Sequence, residues 1–190
     1  RKYLPTNLIK SYNLGFILHE QKTNEFFKNL LHAINKYGTA QEKEIGMAYI
    51  AGLIGHYILD TICHPYVYAM TGRESKLERY GKHFALESDI DTEILMTYKG
   101  KSPSELNLIK VINVTKQEQR IISKLLPYTC NHTYEGISIT PLTIRRVMHS
   151  MQTDIFLLKD ASGNKEKILR MLEMTILGYP YLSIKFINDY

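Results

Sequence analysis

Histidine and carboxylate residues recur at four-residue intervals in two stretches of the sequence. The two triplets are His56, Asp60 and His64, and His83, Glu87 and Asp91. Residues four apart lie on one face of an α-helix, so each triplet aligns imidazole and carboxylate groups along a single stripe. Imidazole nitrogen and carboxylate oxygen are ligands of zinc. Two such stripes facing each other predict a metal pocket, and sites with ions about 3.5–4 Å apart suit phosphoester hydrolysis by a metal-activated water.

The first triplet lies in a very apolar stretch, residues 48–63 (AYIAGLIGHYILDTIC). A helix that is apolar on every face is expected to be buried. Burying an ionised carboxylate costs several kcal/mol unless it is paired or bound to a metal. Asp60 therefore needs a partner, and His56 and His64 are the nearest candidates. The alternative to a metal site is a buried network of Asp–His hydrogen bonds that only specifies the core.

The elements that position these residues are predicted to be helices. No convincing alternating strand pattern and no internal repeat occur, so we expect an all-α fold, a bundle of six to eight helices. The predicted helices cover residues 7–20, 24–37, 39–64, 82–98, 106–114, 116–126, 141–159 and 165–177, with irregular segments at 66–81 and 128–140. Pro65 and Pro127 are expected to end helices, because proline removes a helical hydrogen bond.

We expect one domain over residues 1–190, with a metal-site half at 14–98 and a C-terminal helical half at 102–190. The chain of 190 residues is 44% hydrophobic and 23% charged, which fits a folded domain and excludes a disordered one. Its net charge of +5 favours an anionic partner such as a phosphate ester or a lipid headgroup. No run of five basic residues marks a nucleic-acid-binding arm.

The two cysteines, Cys63 and Cys130, are too few for a disulfide framework. Cys63 falls in the apolar stretch, where we expect it to pack as a small hydrophobic residue. No signal peptide or transmembrane segment is recognisable, since His and Asp interrupt the longest apolar stretch. These features slightly favour the cytoplasm over secretion.

Two motifs, HYILDTICHP at 56–65 and GKHFALESDID at 81–91, resemble the zinc-dependent phospholipase C family, which shares its fold with S1/P1-type nucleases. That family has His-x-x-x-Asp on one helix, a further His shortly after, and His-x-x-x-Glu on a following helix. FILHEQKTNEFF at 16–27 resembles the family's earlier ligand histidine, which implies a role for His19. The resemblance covers residues 14–95. It implies one ion on His64, His83 and Glu87, and another on His19, His56 and Asp60, with Asp60 bridging to a third.

The N-terminal part of the family pattern has no match before His19. In the family, the third ion uses the N-terminal amine and an early His, and an early Asp is the proposed general base. We expect that an N-terminal segment is missing here, so that the general base is unassigned. The resemblance implies two to three zinc ions in the complete protein and fewer without that segment.

The resemblance implies a metal-dependent phosphoric diester hydrolase whose metal-activated water attacks a phosphodiester. Its expected partners are a phospholipid headgroup or another phosphoester, with transient contact to a membrane surface. Asp91 is expected to hydrogen-bond a ligand histidine. Tyr57 and Tyr66 are candidates for substrate contacts, and the alternative is that these two and Tyr68, which is also near the site, only pack. The alternatives are an S1/P1-type nuclease or nucleotide hydrolase, and a non-catalytic protein with a structural metal site. Nucleic acid is disfavoured, because no groove motif combining aromatic and basic residues is present.

Overall fold

The computed structural model describes residues 14–72 and 76–187, except for the side chains at 16, 76–78 and 80. The first part of the helical stretch predicted at 7–20 lies outside the described residues. Within them, the only bridge between extended segments pairs Lys159 with Ile187, and the all-α fold class is confirmed. The eight α-helices in this part of the chain are α1 (Leu14–Glu20), α2 (Thr23–Tyr37), α3 (Ala40–Met70), α4 (Lys76–Lys99), α5 (Leu108–Ile112), α6 (Lys116–Thr133), α7 (Pro141–Leu158) and α8 (Asn164–Leu177).

Contacts divide the chain into two compact units. Among the described residues, the first unit comprises 14–58 and 114–149, and the second comprises 59–72, 76–113 and 150–187. The divisions fall inside α3 and α7, so neither unit coincides with one half of the sequence. The single-domain description of the chain stays a prediction.

The first unit has an apolar core built mainly where α2 packs on α6. Phe26, Leu30 and Ile34 follow one another at intervals of four on α2, which places them on one face, and all three are buried. The side chains that α6 contributes to this core are Ile121, Ile122, Leu125 and Cys130. Each fully buried large apolar side chain contributes about 1.5–3 kcal/mol of transfer free energy, so this interface is the main source of the unit's stability.

The C-terminal end of α6 holds the turn that joins α1 to α2. The Tyr134 hydroxyl donates a hydrogen bond to the carbonyl oxygen of Gln21 (3.0 Å), and the Lys22 ammonium donates to the carbonyl oxygen of Thr133 (3.2 Å). The Thr23 hydroxyl donates to the carbonyl of Leu18, which would otherwise lack a partner at the end of α1. These bonds fix the last turn of α1, where His19 lies.

The two internal prolines do not end helices, contrary to the sequence prediction. α3 continues through Pro65 to Met70, and α6 continues through Pro127 to Thr133. A proline inside a helix costs about 3 kcal/mol. In both helices, side chains beyond the proline are fully buried, including Val67 in α3 and Thr133 in α6. We infer that packing beyond each proline offsets its cost.

The apolar stretch of α3 is largely exposed, which corrects the prediction of a helix buried on every face. Its buried apolar side chains are Ile50 and Val67, whereas Ile62 is 69% exposed and Cys63 is also exposed. Apolar composition predicts that a surface will be covered, but it does not specify by what. Within the described residues, α3 is the one helix whose length and composition would suit a membrane span, and 11% of its most apolar window is buried. Those two properties alone are weak evidence for a span.

The second unit is held together largely by polar contacts around the segment that follows α8. Glu173 is 6% exposed. Its carboxylate accepts hydrogen bonds from the backbone N–H groups of Tyr181, Leu182 and Ser183, and from the Ser183 hydroxyl at 2.6 Å. Burial by itself would raise the pKa of Glu173, but these four hydrogen bonds together lower it below its ordinary value.

The same segment is fixed at its far end and lies against α4. The Ile187 N–H donates a hydrogen bond to the carbonyl oxygen of Leu158 (2.9 Å), and the Asp160 N–H donates one to the carbonyl oxygen of Ile187 (3.0 Å). Gly81 of α4 lies so close to Pro180 that a Cβ atom at position 81 would be 2.8 Å from the Pro180 carbonyl oxygen. Glycine therefore permits this close approach, two residues before His83.

Candidate metal centre

Two histidines and a glutamate converge within the second unit. His64 lies on α3, and His83 and Glu87 lie one turn apart on α4. One carboxylate oxygen of Glu87 is 3.0 Å from His83 Nε2 and 3.4 Å from His64 Nε2. All three ligand atoms lie within 4.8 Å of one another. The structure thus brings together the three residues that the sequence assigns to one ion.

Aromatic contacts set the orientation of the two imidazole rings. The rings of His64 and His83 meet edge to face, with centroids 5.3 Å apart. Tyr68 packs against both, at 5.4 Å from His64 and 5.3 Å from His83. The sequence analysis placed Tyr68 near the site but assigned it no contact with the ligand histidines. Its spacing of four from His64 is the signal that could have identified it, because it places both side chains on one face of α3.

The three side chains fit a zinc ion. Zinc–ligand distances of about 2.0–2.2 Å place two ligands of a tetrahedral ion about 3.4 Å apart, close to the two distances measured to Glu87. Two imidazole nitrogens and one carboxylate oxygen also form a donor set typical of catalytic zinc, in which a fourth position stays open. We therefore name this group the His64–His83–Glu87 cluster.

A second pair of ligand candidates lies in the first unit. The rings of His19, on α1, and His56, on α3, meet edge to face with centroids 5.5 Å apart. A ring nitrogen of His19 lies within 4.8 Å of a ring nitrogen of His56. Both residues are exposed. The contacts of α6 with the α1–α2 turn position His19 for this approach.

Asp60 follows His56 by one turn of α3. Its Oδ2 atom is 4.0 Å from His64 Nε2. Asp60 and His64 lie on the partly buried stripe of α3, together with Leu53, Tyr57 and Val67. The bridging role implied for Asp60 stays a prediction.

A family model described as "Zinc dependent phospholipase C" matches residues 2–131. The chain belongs to the zinc-dependent phospholipase C family. The match includes every predicted ligand and both motifs on which the resemblance was based. No curated protein and no solved structure matches the chain.

The structure places the other predicted site residues in three different settings. Asp91 lines a groove one turn further along α4, where partial burial raises the pKa of its carboxyl. Tyr57 packs edge to face against Phe27, with ring centroids 6.0 Å apart, and Tyr66 is exposed. The predicted contacts of Asp91 with a ligand, and of the two tyrosines with substrate, stay predictions.

Proposed function

We propose that the chain is a zinc-dependent phosphoester hydrolase that cleaves a phosphodiester of a phospholipid headgroup. The observation that carries this proposal is the convergence of His64 Nε2 and His83 Nε2 on one carboxylate oxygen of Glu87. Family membership supports zinc as the metal, since the ligand types alone also suit other divalent ions.

In this proposal, His64, His83 and Glu87 hold one ion, and His19, His56 and Asp60 contribute to a further ion. When bound, zinc supplies Lewis acidity and lowers the pKa of water towards about 7. Tyr68 orients the imidazoles of His64 and His83 by packing on both rings. The general base is not assigned to any residue of this chain.

The first test is the zinc content of the purified protein, measured by elemental analysis after zinc has been supplied. We expect about one equivalent or more, with partial loss in His83→Ala and in His56→Ala. His32→Ala is the matched control, because His32 stacks on Tyr128 and belongs to neither ligand group. That variant should retain the zinc content of the wild type.

The second test is hydrolysis of phosphatidylcholine and of a chromogenic phosphodiester by the zinc-loaded protein. We expect turnover that His83→Ala abolishes and His32→Ala leaves intact. A zinc content that does not respond to His83→Ala would contradict the assigned ligands. Bound zinc without any hydrolysis would indicate a structural metal site, and a preference for single-stranded nucleic acid would indicate a nuclease.

A further inference from the structure

A groove of about 560 Å³ in the second unit begins beside the His64–His83–Glu87 cluster, since its lining includes Ala85 and Ser88 of α4. Its α4 wall runs from Ala85 to Lys99, a distance of about 21 Å at the rise of an α-helix. Asp91, Ile94 and Tyr98 line it. They continue the stripe of His83 and Glu87 at intervals of three or four residues, which keeps all five positions on one face of α4.

The chemistry of the groove changes in order along α4. The end near Glu87 is polar, with Ser88, Asp91 and Thr92 in its lining. Beyond Thr92 the α4 wall becomes apolar at Ile94, Leu95 and Tyr98, and Pro103, Leu106 and Leu108 follow in the lining. The apolar side chains of the opposite wall are Ile184, Phe186 and Ile187, and Ile184 lies near Gly81, at the end of α4 that carries His83. Charged side chains also line the groove: Asp89, Lys99, Glu166, Arg170 and Lys185. A phospholipid has the same order along its length, from phosphate through polar glycerol to acyl chain.

The wall opposite α4 is a fixed part of the fold. Residues 183–187 line the groove, and they belong to the segment that the buried Glu173 carboxylate and the backbone bonds of Ile187 hold in place. Lys185, within this wall, lies over the ring of Phe84 at 4.9 Å from its centroid. A preformed cleft of a few hundred Å³ that combines apolar side chains with polar groups has the size of a small-molecule site.

We propose that this groove binds an acyl chain of the substrate, with the phosphoester at the His64–His83–Glu87 cluster and the chain along Ile94, Leu95 and Tyr98. This inference rests on the proposed function for the position of the phosphate. It assigns the acyl chain a site on the protein itself. A water-soluble phosphodiester would leave the groove without a ligand.

The test is binding of lysophosphatidylcholines of increasing chain length, each below its micelle concentration, to the zinc-free and zinc-loaded protein by titration calorimetry. We expect the affinity to rise about two- to fourfold per added methylene, as apolar burial predicts. Leu95→Glu should reduce the affinity for the longest chain at least about tenfold, because it introduces a charge into the apolar part of the groove. Tyr98→Glu should reduce it several-fold, and because Tyr98 is 77% exposed this variant should leave the fold intact.

Met96→Glu is the matched control, since Met96 is on α4 beside Leu95, is exposed, and does not line the groove. It should leave the dependence on chain length unchanged. Affinity that is independent of chain length, or equal in the Leu95, Tyr98 and Met96 variants, would overturn the assignment. Binding that depends on chain length, in a protein that hydrolyses no phosphodiester, would refute the proposed function alone. Hydrolysis without such dependence would refute the acyl-chain site alone.

Discussion

The two units of the chain are stabilised in different ways. The first unit buries large apolar side chains of α2 and α6 in a common core. Among the described side chains of the second unit, the buried apolar one is Val67. The buried polar ones are Thr71, Asp160, Glu173 and Ser183. Apolar packing contributes stability without regard to charge, but hydrogen bonds to a buried carboxylate depend on its ionisation.

This difference has consequences for the ligands that each unit carries. His19 is held by a turn attached to an apolar core, while His83 and Glu87 lie on a helix braced by the segment that Glu173 fixes. Because a metal that binds only the folded state stabilises it, we expect zinc to contribute relatively more to the second unit. The comparison can be tested one unit at a time by hydrogen exchange of peptides from each.

The largest expected effect is that of Leu30→Ala in the first unit. Leu30 is completely buried, and removing such a side chain from a packed core costs about 2–5 kcal/mol. The measurement is the free energy of unfolding from urea denaturation, together with hydrogen exchange in α2 and α6. Leu31→Ala is the neighbouring control, since Leu31 is 42% exposed, and it should cost much less. Equal losses in the two variants would contradict the assigned core.

The next effect is that of Glu173→Gln in the second unit. The amide keeps the size of the side chain, but its NH₂ group cannot accept the bonds that the carboxylate accepts from residues 181–183. Loss of such charge-assisted bonds costs about 2–3 kcal/mol. The rate of amide hydrogen exchange should increase in α4 and α8, while the exchange rates in α2 and α6 should stay unchanged. Faster exchange in α2 as well would show that the two units do not differ as described.

The smallest effect is the response of the second unit to acid. The pKa of Glu173 is lower in the folded chain than its ordinary value of 4.5. The ionised Glu173 carboxylate therefore contributes its full stabilisation at pH values above 4.5. This stabilisation is lost as the pH falls below 4.5 towards the pKa of Glu173 in the folded chain. Thermal unfolding followed between neutral pH and pH 3 should show this loss, and Glu173→Gln should remove that part of the pH dependence. A variant with an unchanged acid response would assign the loss to other carboxylates.

The sequence predicted those parts of the fold and site that depend on local spacing. His83 and Glu87 were predictable as neighbours because they are four residues apart on one helix. The start of α3 was predictable for a similar reason, since Thr39 and Glu42 form reciprocal side-chain to backbone hydrogen bonds there. The grouping of His83 and Glu87 with His64, which lies on α3, was implied by the family resemblance and not by local spacing.

Features that depend on distant contacts were not predictable. The helices continue past Pro65 and Pro127 because residues beyond each proline are buried against other elements. One wall of the groove is residues 183–187, which are held in place partly because the Glu173 carboxylate accepts hydrogen bonds from three backbone N–H groups. Every residue except proline has a backbone N–H group, so the sequence does not indicate which of them Glu173 will bind. The exposure of α3 was missed for the same reason, since apolar composition is identical whether or not a neighbour covers the helix.

Cys63 is exposed and Cys130 is buried, so a thiol reagent can label the protein selectively beside the metal centre. Cys130 is fully buried, and burial raises the pKa of its thiol to about 12, so it presents almost no reactive thiolate to a reagent. Cys63 is exposed and immediately precedes His64 in the chain. A maleimide fluorophore would therefore attach at Cys63 in the unmodified sequence, next to a residue of the His64–His83–Glu87 cluster, and report on that cluster without an engineered cysteine.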